Sequence, residues 1–122
     1  MKTLALIPIL ILLQASYFDM QGTIVGVNSP NSLLIDNKTV NLVDVDPSGL
    51  TRGQYIDLMN DLNDWLTGKD VFVKDECVYF DLKGCYNSVS INEMIQKQIN
   101  NLEEELSLFY YWTDYLNYGA NV

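Results

Sequence analysis

Two carboxylates that follow the first apolar segments are the residues of this chain best suited to metal chemistry. Asp44 and Asp46 stand two positions apart, and on a strand this spacing would direct both side chains to one face. With the amide of Asn31 they could bind a hard cation such as Ca²⁺. Because so few ligands converge, a solvated rim is the favoured interpretation and a calcium site is the alternative. We therefore expect no cofactor.

The residue types needed for catalysis on phosphates are scarce. The chain has no histidine and a single arginine, Arg52. A serine such as Ser48 therefore lacks a histidine base, and few fixed cations could stabilise charge that develops on a phosphate. Sixteen acidic and seven basic residues give a net charge of -9, which repels a nucleic-acid backbone. Nucleic acid is not expected as a partner.

The only two cysteines, Cys77 and Cys85, are eight positions apart. An oxidising compartment would favour joining them in a disulfide, which would stabilise the fold by about 2.5 kcal/mol for so short a loop. A redox or zinc role is less favoured, because there is no Cys-x-x-Cys spacing and no histidine.

Residues 1–16 predict an export signal. Lys2 precedes an almost wholly apolar run, and Ala15 and Ser16 offer small residues for cleavage. An uncleaved anchor is the alternative, although the neutral run is short for a bilayer span. We expect an extracytoplasmic protein, secreted or surface-anchored, that touches a membrane only through residues 1–18 if the segment is retained.

The rest of the chain predicts strands and two helices. Alternating and β-branched patterns predict strands at 21–27, 32–35, 38–45, 70–74 and 77–82, and residues 86–90 would complete the sheet. Helical spacing predicts an apolar stripe formed by Tyr55, Leu58, Met59, Leu62, Trp65 and Leu66. A capping-box pattern from Ser90 to Glu93 opens a second helix.

The order of these segments resembles the staphylococcal-nuclease-like (thermonuclease) family. The resemblance rests on the entry strand at 22–25, the pair of strands at 32–35 and 39–43, the Asp-Val-Asp-Pro exit at 44–47, and the segments at 68–73 and 89–95. It implies a mainly β fold with α-helices: a five-stranded OB-fold barrel over residues 21–98, with a helix after the third strand and a C-terminal helix.

The family's catalytic positions are mostly lost. Asn31 stands in place of a calcium-binding aspartate, Asn41 and Cys85 in place of arginines, and Gly49 in place of the general-base glutamate, whereas Asp46 is retained. The resemblance thus implies a non-catalytic module for protein binding or self-association. The alternative is a divergent metal-dependent phosphodiesterase or nuclease that uses Asp44 and Asp46.

Residues 99–122 predict a helical extension with surplus aromatic side chains. Apolar residues from Ile95 to Leu116 recur at alternating spacings of four and three, as in a coiled coil. The consecutive run 109–112 sends large rings to every side of a helix. We expect a protein partner or a second copy to bind through Phe109, Tyr111, Trp112 and Tyr115. In the alternative, the stripe packs back on the barrel.

Overall fold

The computed structural model describes residues 17–83 and 85–120, with side chains as far as residue 105. The predicted export signal at 1–16 lies outside the described residues. The described chain forms five strands and two helices, in the order β1 Met20–Ser29, β2 Ser32–Ile35, β3 Lys38–Asn41, α1 Arg52–Leu66, β4 Asp70–Lys74, β5 Cys77–Phe80 and α2 Ile91–Ala120.

The strands form one antiparallel sheet in the order β3-β2-β1-β4-β5. β1 is long enough to pair with two neighbours: its first residues face β4, with Met20 opposite Val73, and its later residues face β2, with Ile24 opposite Ile35. Register shifts in the pairing with β2 mark where β1 is irregular. The predicted mainly β, five-stranded architecture with two helices is confirmed at this level, and the sheet is not closed.

Two boundaries differ from the prediction. β3 ends at Asn41 rather than at residue 45, because the N–H of Leu42 donates to the Asn31 carbonyl (2.8 Å) and Asp44 adopts a positive φ of 60°. The segment 86–90 does not form a strand. An isolated bridge joins Tyr86 to Asp81, and the N–H of Asn87 donates to the Phe80 carbonyl (3.1 Å).

The core lies between the sheet and one face of each helix. α1 begins at a capping box, in which Thr51 and Gln54 bond to each other's backbone. Its buried residues are Leu58, Leu62 and Leu66, while Trp65 lies beside this stripe and is exposed. α2 contributes Ile91, Ile95 and Ile99, all fully buried.

A second apolar layer covers the other face of β4 and β5. Phe18 is buried there and stacks on Phe72 with ring centroids 4.7 Å apart. Tyr79 and Tyr86 pack edge to face at 5.7 Å, and Tyr17 lies against Phe18. The residues that directly follow the predicted signal are therefore part of the folded domain.

Among the residues that the structure describes, no helix is long and apolar enough to cross a membrane.

Candidate functional site

A single buried side chain, Asn92, joins three elements at the edge of the sheet. Its Nδ2 donates to the carbonyls of Val43 and Glu76, both at 2.9 Å, and its Oδ1 accepts from the N–H of Val78 at 3.0 Å. The N–H of Val43 also donates to Glu76 (3.2 Å). The chain after β3 and the start of β5 are thus held together where an OB barrel would close.

A cleft of about 360 Å³, here called the Asn92 cleft, opens beside this junction. Asp44, Cys77, Glu93 and Lys97 line it. Burial raises the pKa of the Cys77 thiol above its ordinary value of 9.0, and the charge of Asp44 raises it further. A protonated thiol is a poor nucleophile and a poor metal ligand, so this cleft is not arranged for cysteine chemistry at neutral pH.

The predicted cation ligands are not aligned as expected. Because β3 ends before them, Asp44 and Asp46 do not share a strand face: Asp44 lines the Asn92 cleft, whereas the Asp46 carboxylate accepts from the N–H of Ser48 (3.0 Å). Hydrogen bonds from the Ser48 side chain and backbone lower the pKa of Asp46. The amide oxygen of Asn31 is engaged with the Ser29 hydroxyl at 2.6 Å.

Among the described residues, no group of three or more His, Cys, Asp and Glu could hold a metal ion. The alternative interpretation, calcium binding by Asp44, Asp46 and Asn31, stays a prediction. It required Asp44 and Asp46 to share one strand face, and they do not.

The position that corresponds to the family's general base is closely packed by α2. A Cβ atom added to Gly49 would overlap the carboxylate of Glu103. A glutamate at position 49 would therefore need Glu103 to move, and two carboxylates would then lie side by side. Asn41, where the family has an arginine, ends β3 and is exposed.

The two cysteines are free thiols in the structure. Cys77 begins β5, whereas Cys85 follows its far end, opposite Leu82, whose carbonyl accepts from the Cys85 thiol. With a strand rise of about 3.3 Å per residue, roughly 13 Å or more of strand separates the two positions. A disulfide needs Cα atoms within about 7 Å, so its formation would require the backbone to move. The disulfide stays a prediction.

A second cleft, of about 480 Å³, lies at the C-terminal end of α1. We call it the Trp65 groove, and it is lined by Trp65, Gly68, Lys69, Asp70, Phe80, Asp81, Leu82 and Lys83. The rings of Trp65 and Phe80 meet edge to face at 5.6 Å. Trp65 is 39% exposed and Leu82 is 53% exposed, so the groove presents apolar surface to solvent.

The acidic residues of the Trp65 groove are hydrogen-bonded toward β1. Asp70 accepts from the Thr23 hydroxyl at 2.7 Å, and Asp81 accepts from the Gln21 amide at 3.4 Å. Lys69 and Lys83 are both exposed.

Helix α2 is held along the body of the domain as far as Glu103. Gln96 accepts from the N–H of Asp46 (2.7 Å), and the amide of Gln54 donates to the Leu102 carbonyl (3.0 Å). Leu102 is the last described residue of α2 that packs against the core. The backbone continues as helix to Ala120. The predicted partner-binding side chains, Phe109, Tyr111, Trp112 and Tyr115, lie outside the described side chains.

Sequence reasoning missed the Trp65 groove and the role of Asn92. Helical spacing places Trp65 on the apolar stripe of α1, and no sequence pattern brings Lys69 and Lys83 together. Asn92 was noted only as part of the family resemblance. Glu93 directly follows Asn92 in the sequence, so no local pattern distinguishes the buried polar residue from its exposed neighbour.

Comparisons of this chain with protein-family models, with curated proteins and with solved structures found no match.

Proposed function

We propose that this chain is an extracytoplasmic, non-catalytic module with an OB-type barrel, and that it self-associates through the second half of α2. The OB-type architecture is supported by the strand order and by the contact between Val43 and Glu76, where β3 and β5 would complete a barrel. The export signal at 1–16 supports the location.

The absence of nuclease activity is proposed from the chemistry of the site. Asn41 and Cys85 supply no guanidinium, and Gly49 supplies no carboxylate. The packing of Glu103 against Gly49 leaves no room for a base at that position without rearrangement. The proposed module therefore works by binding rather than by turnover.

The observation that carries the proposal is the length of α2. The helix has 30 residues, and among its residues with described side chains, 91–105, Leu102 is the last that packs against the core. Eighteen further residues lead to Ala120, and at 1.5 Å per residue they add about 27 Å of helix. Isolated helical segments of this length are marginal in water unless an apolar face is packed.

The sequence of this second half favours a protein partner. Leu106, Phe109, Thr113 and Leu116 continue the spacing of four and three begun by Ile95, Ile99 and Leu102. Ile95, Ile99 and Leu102 pack on the core of the domain. The same periodicity assigns the later residues of the series to the same face of the helix. A second copy would bury that stripe and the rings beside it.

Sedimentation of the purified full chain in a mild non-ionic detergent tests the proposal. We expect the wild type to associate at micromolar concentration, and the double variant Tyr111→Ser, Trp112→Ser to associate at least about a hundredfold more weakly, because two large rings are removed from the interface. The matched control, Asn100→Ser with Asn101→Ser, changes two exposed residues of the same helix and should associate like the wild type.

A wild-type chain that remains monomeric at high concentration would refute self-association. So would a double variant that associates as tightly as the control. Circular dichroism of each variant establishes that the sheet and helices are retained.

A further inference from the structure

The Trp65 groove is a partly apolar concavity of the described residues that the function proposed above does not use. Its volume of about 480 Å³ lies within the range of ordinary binding pockets. It combines a half-exposed tryptophan, an exposed leucine and two lysines, which is the composition of a surface that receives an aromatic, acidic segment.

The second half of α2 has the complementary composition. Residues 103–122 contain four acidic residues and no basic residue, together with six aromatic residues. The groove itself holds two lysines and two aspartates, for a formal charge of zero, in a chain whose net charge is -9. An acidic helix is therefore repelled less by this groove than by the rest of the surface.

The molecule's own α2 meets α1 at the end that is far from the Trp65 groove. Gln54, in the first turn of α1, holds α2 at Leu102, whereas Trp65 and Lys69 lie at the other end of α1. The two ends of this 15-residue helix are about 22 Å apart. Occupation of the groove by the same copy would leave the wild type monomeric, an outcome that sedimentation distinguishes from binding between copies.

We propose that the Trp65 groove of one copy receives the aromatic second half of α2 from another copy. This inference rests on the self-association proposed above and names the surface that accepts the helix. Trp65, Phe80 and Leu82 supply the apolar wall, and Lys69 and Lys83 face the acidic residues of the incoming helix. The contact joins different surfaces, because a helix on one copy meets a groove on the next. Two copies can close it by exchanging helices reciprocally, and more copies can extend it into rings or chains.

Charge reversal in the groove provides the first test. The variant Lys69→Glu, Lys83→Glu changes two exposed residues, and we expect association of the full chain to weaken about tenfold or more. The control Lys38→Glu, Lys97→Glu makes the same change in net charge elsewhere and should alter association less than about threefold. Trp65→Ala removes the apolar wall without changing charge and should weaken association as well.

Mixing two defective variants provides the second test. The helix variant Tyr111→Ser, Trp112→Ser keeps an intact groove, and the groove variant Lys69→Glu, Lys83→Glu keeps an intact helix. Together they should form a one-to-one complex that sedimentation detects, although each alone remains monomeric.

The possible outcomes separate this inference from the proposed function. Association of the groove variant at wild-type strength, with loss in the helix variant, would overturn the groove and leave self-association standing. Two defective variants that form no complex on mixing would also overturn it. A monomeric wild type would refute both proposals.

Discussion

At the scale of single residues, Asn92 links the two ends of the sheet and the start of α2. Three backbone groups depend on its amide, and it is 4% exposed. No hydrophobic side chain can replace these contacts, because the carbonyls of Val43 and Glu76 would lose a donor and the N–H of Val78 an acceptor. The contribution of Asn92 to stability therefore comes from the backbone groups that would lose a hydrogen bond without it.

We predict that Asn92→Ala lowers the free energy of unfolding by about 3 kcal/mol, since each unpaired buried group costs about 1–3 kcal/mol. Asn92→Asp should cost at least as much, because a carboxylate would face two carbonyl oxygens. Asn100→Ala, at an exposed site on the same helix, should change stability by less than about 0.5 kcal/mol. Urea denaturation measures all three, and equal values for Asn92→Ala and Asn100→Ala would contradict the role assigned to Asn92.

The environment of Cys77 predicts a specific pH dependence of thiol reactivity. Its pKa is raised, first by burial and then by Asp44, so at a given pH a smaller fraction of Cys77 is thiolate than of an ordinary cysteine. In the reduced protein we expect Cys77 to be alkylated more slowly than the exposed Cys85 at pH 8, and its rate to continue rising beyond pH 9.0. Asp44→Asn should accelerate it by removing a negative charge.

Alkylation followed by peptide mass spectrometry measures both cysteines in one sample. Equal rates at pH 8 would contradict the burial of Cys77. The same method applied to protein from an oxidising compartment tests the predicted disulfide: two alkylatable cysteines would refute it, and none would show that the end of β5 rearranges.

At the scale of elements, the sequence correctly predicted the bounds of some strands. For others it correctly predicted only which side chains are buried. β2 and β4 have the predicted bounds, because turn residues flank each short apolar run. β3 was predicted to reach Val45, and Val45 is indeed buried, but it lies in a loop. Apolar periodicity indicates which side chains are buried. A strand also needs a neighbouring strand to pair with its backbone, and residues 42–45 make only separate backbone hydrogen bonds, to Asn31 and Glu76.

The helices show the same limit. Leu58, Leu62 and Leu66 of α1 are buried as predicted, but Trp65, placed on the same stripe, is partly exposed because it lies at the margin of the stripe. The capping pattern before α2 correctly located its start, and the N–H of Glu93 donates to the Ser90 hydroxyl (3.1 Å). Local capping chemistry could be read from the sequence, and the edge of the apolar stripe could not.

The aromatic layer outside β4 leads to a prediction about the chain that enters the domain. Phe18 is buried against Phe72, and the N–H of Asp19 donates to Val73 (2.8 Å). We predict that Phe18→Ala lowers the free energy of unfolding by about 3 kcal/mol through the cavity it leaves. Tyr17→Ala should cost about 1 kcal/mol, since Tyr17 is half exposed and mainly loses its contact with Lys74. Thermal denaturation that ranks the two variants in the opposite order would contradict this packing.

At the scale of the whole molecule, strand pairing brings together the residues that line the Trp65 groove. A single sequence does not reveal that pairing. Lys69 and Lys83 are fourteen positions apart and meet in one groove because β4 and β5 form a hairpin that returns the chain to the end of α1. Cys85 and Gly49, considered together as lost catalytic positions, contact different parts of the domain: Leu82 and Glu103. The scarcity of arginine and histidine was readable from the sequence, whereas the packing around Gly49 and Cys85 was not.

The overall charge and the arrangement of acids lead to the last prediction, that calcium neither binds nor supports nucleic-acid cleavage. Net charge alone attracts cations weakly, and tight binding needs converging oxygen ligands, which Asp44 and Asp46 do not provide in their separate positions. A site with a dissociation constant of 10 µM would add about 2.7 kcal/mol of stability at 1 mM calcium, which would raise the melting temperature of a domain this size by roughly 10 °C or more. We expect a change below about 1 °C, and no calcium-dependent cleavage of single- or double-stranded DNA or RNA. A large shift, or cleavage that disappears in Asp46→Ala, would show that the retained aspartate still serves a metal site.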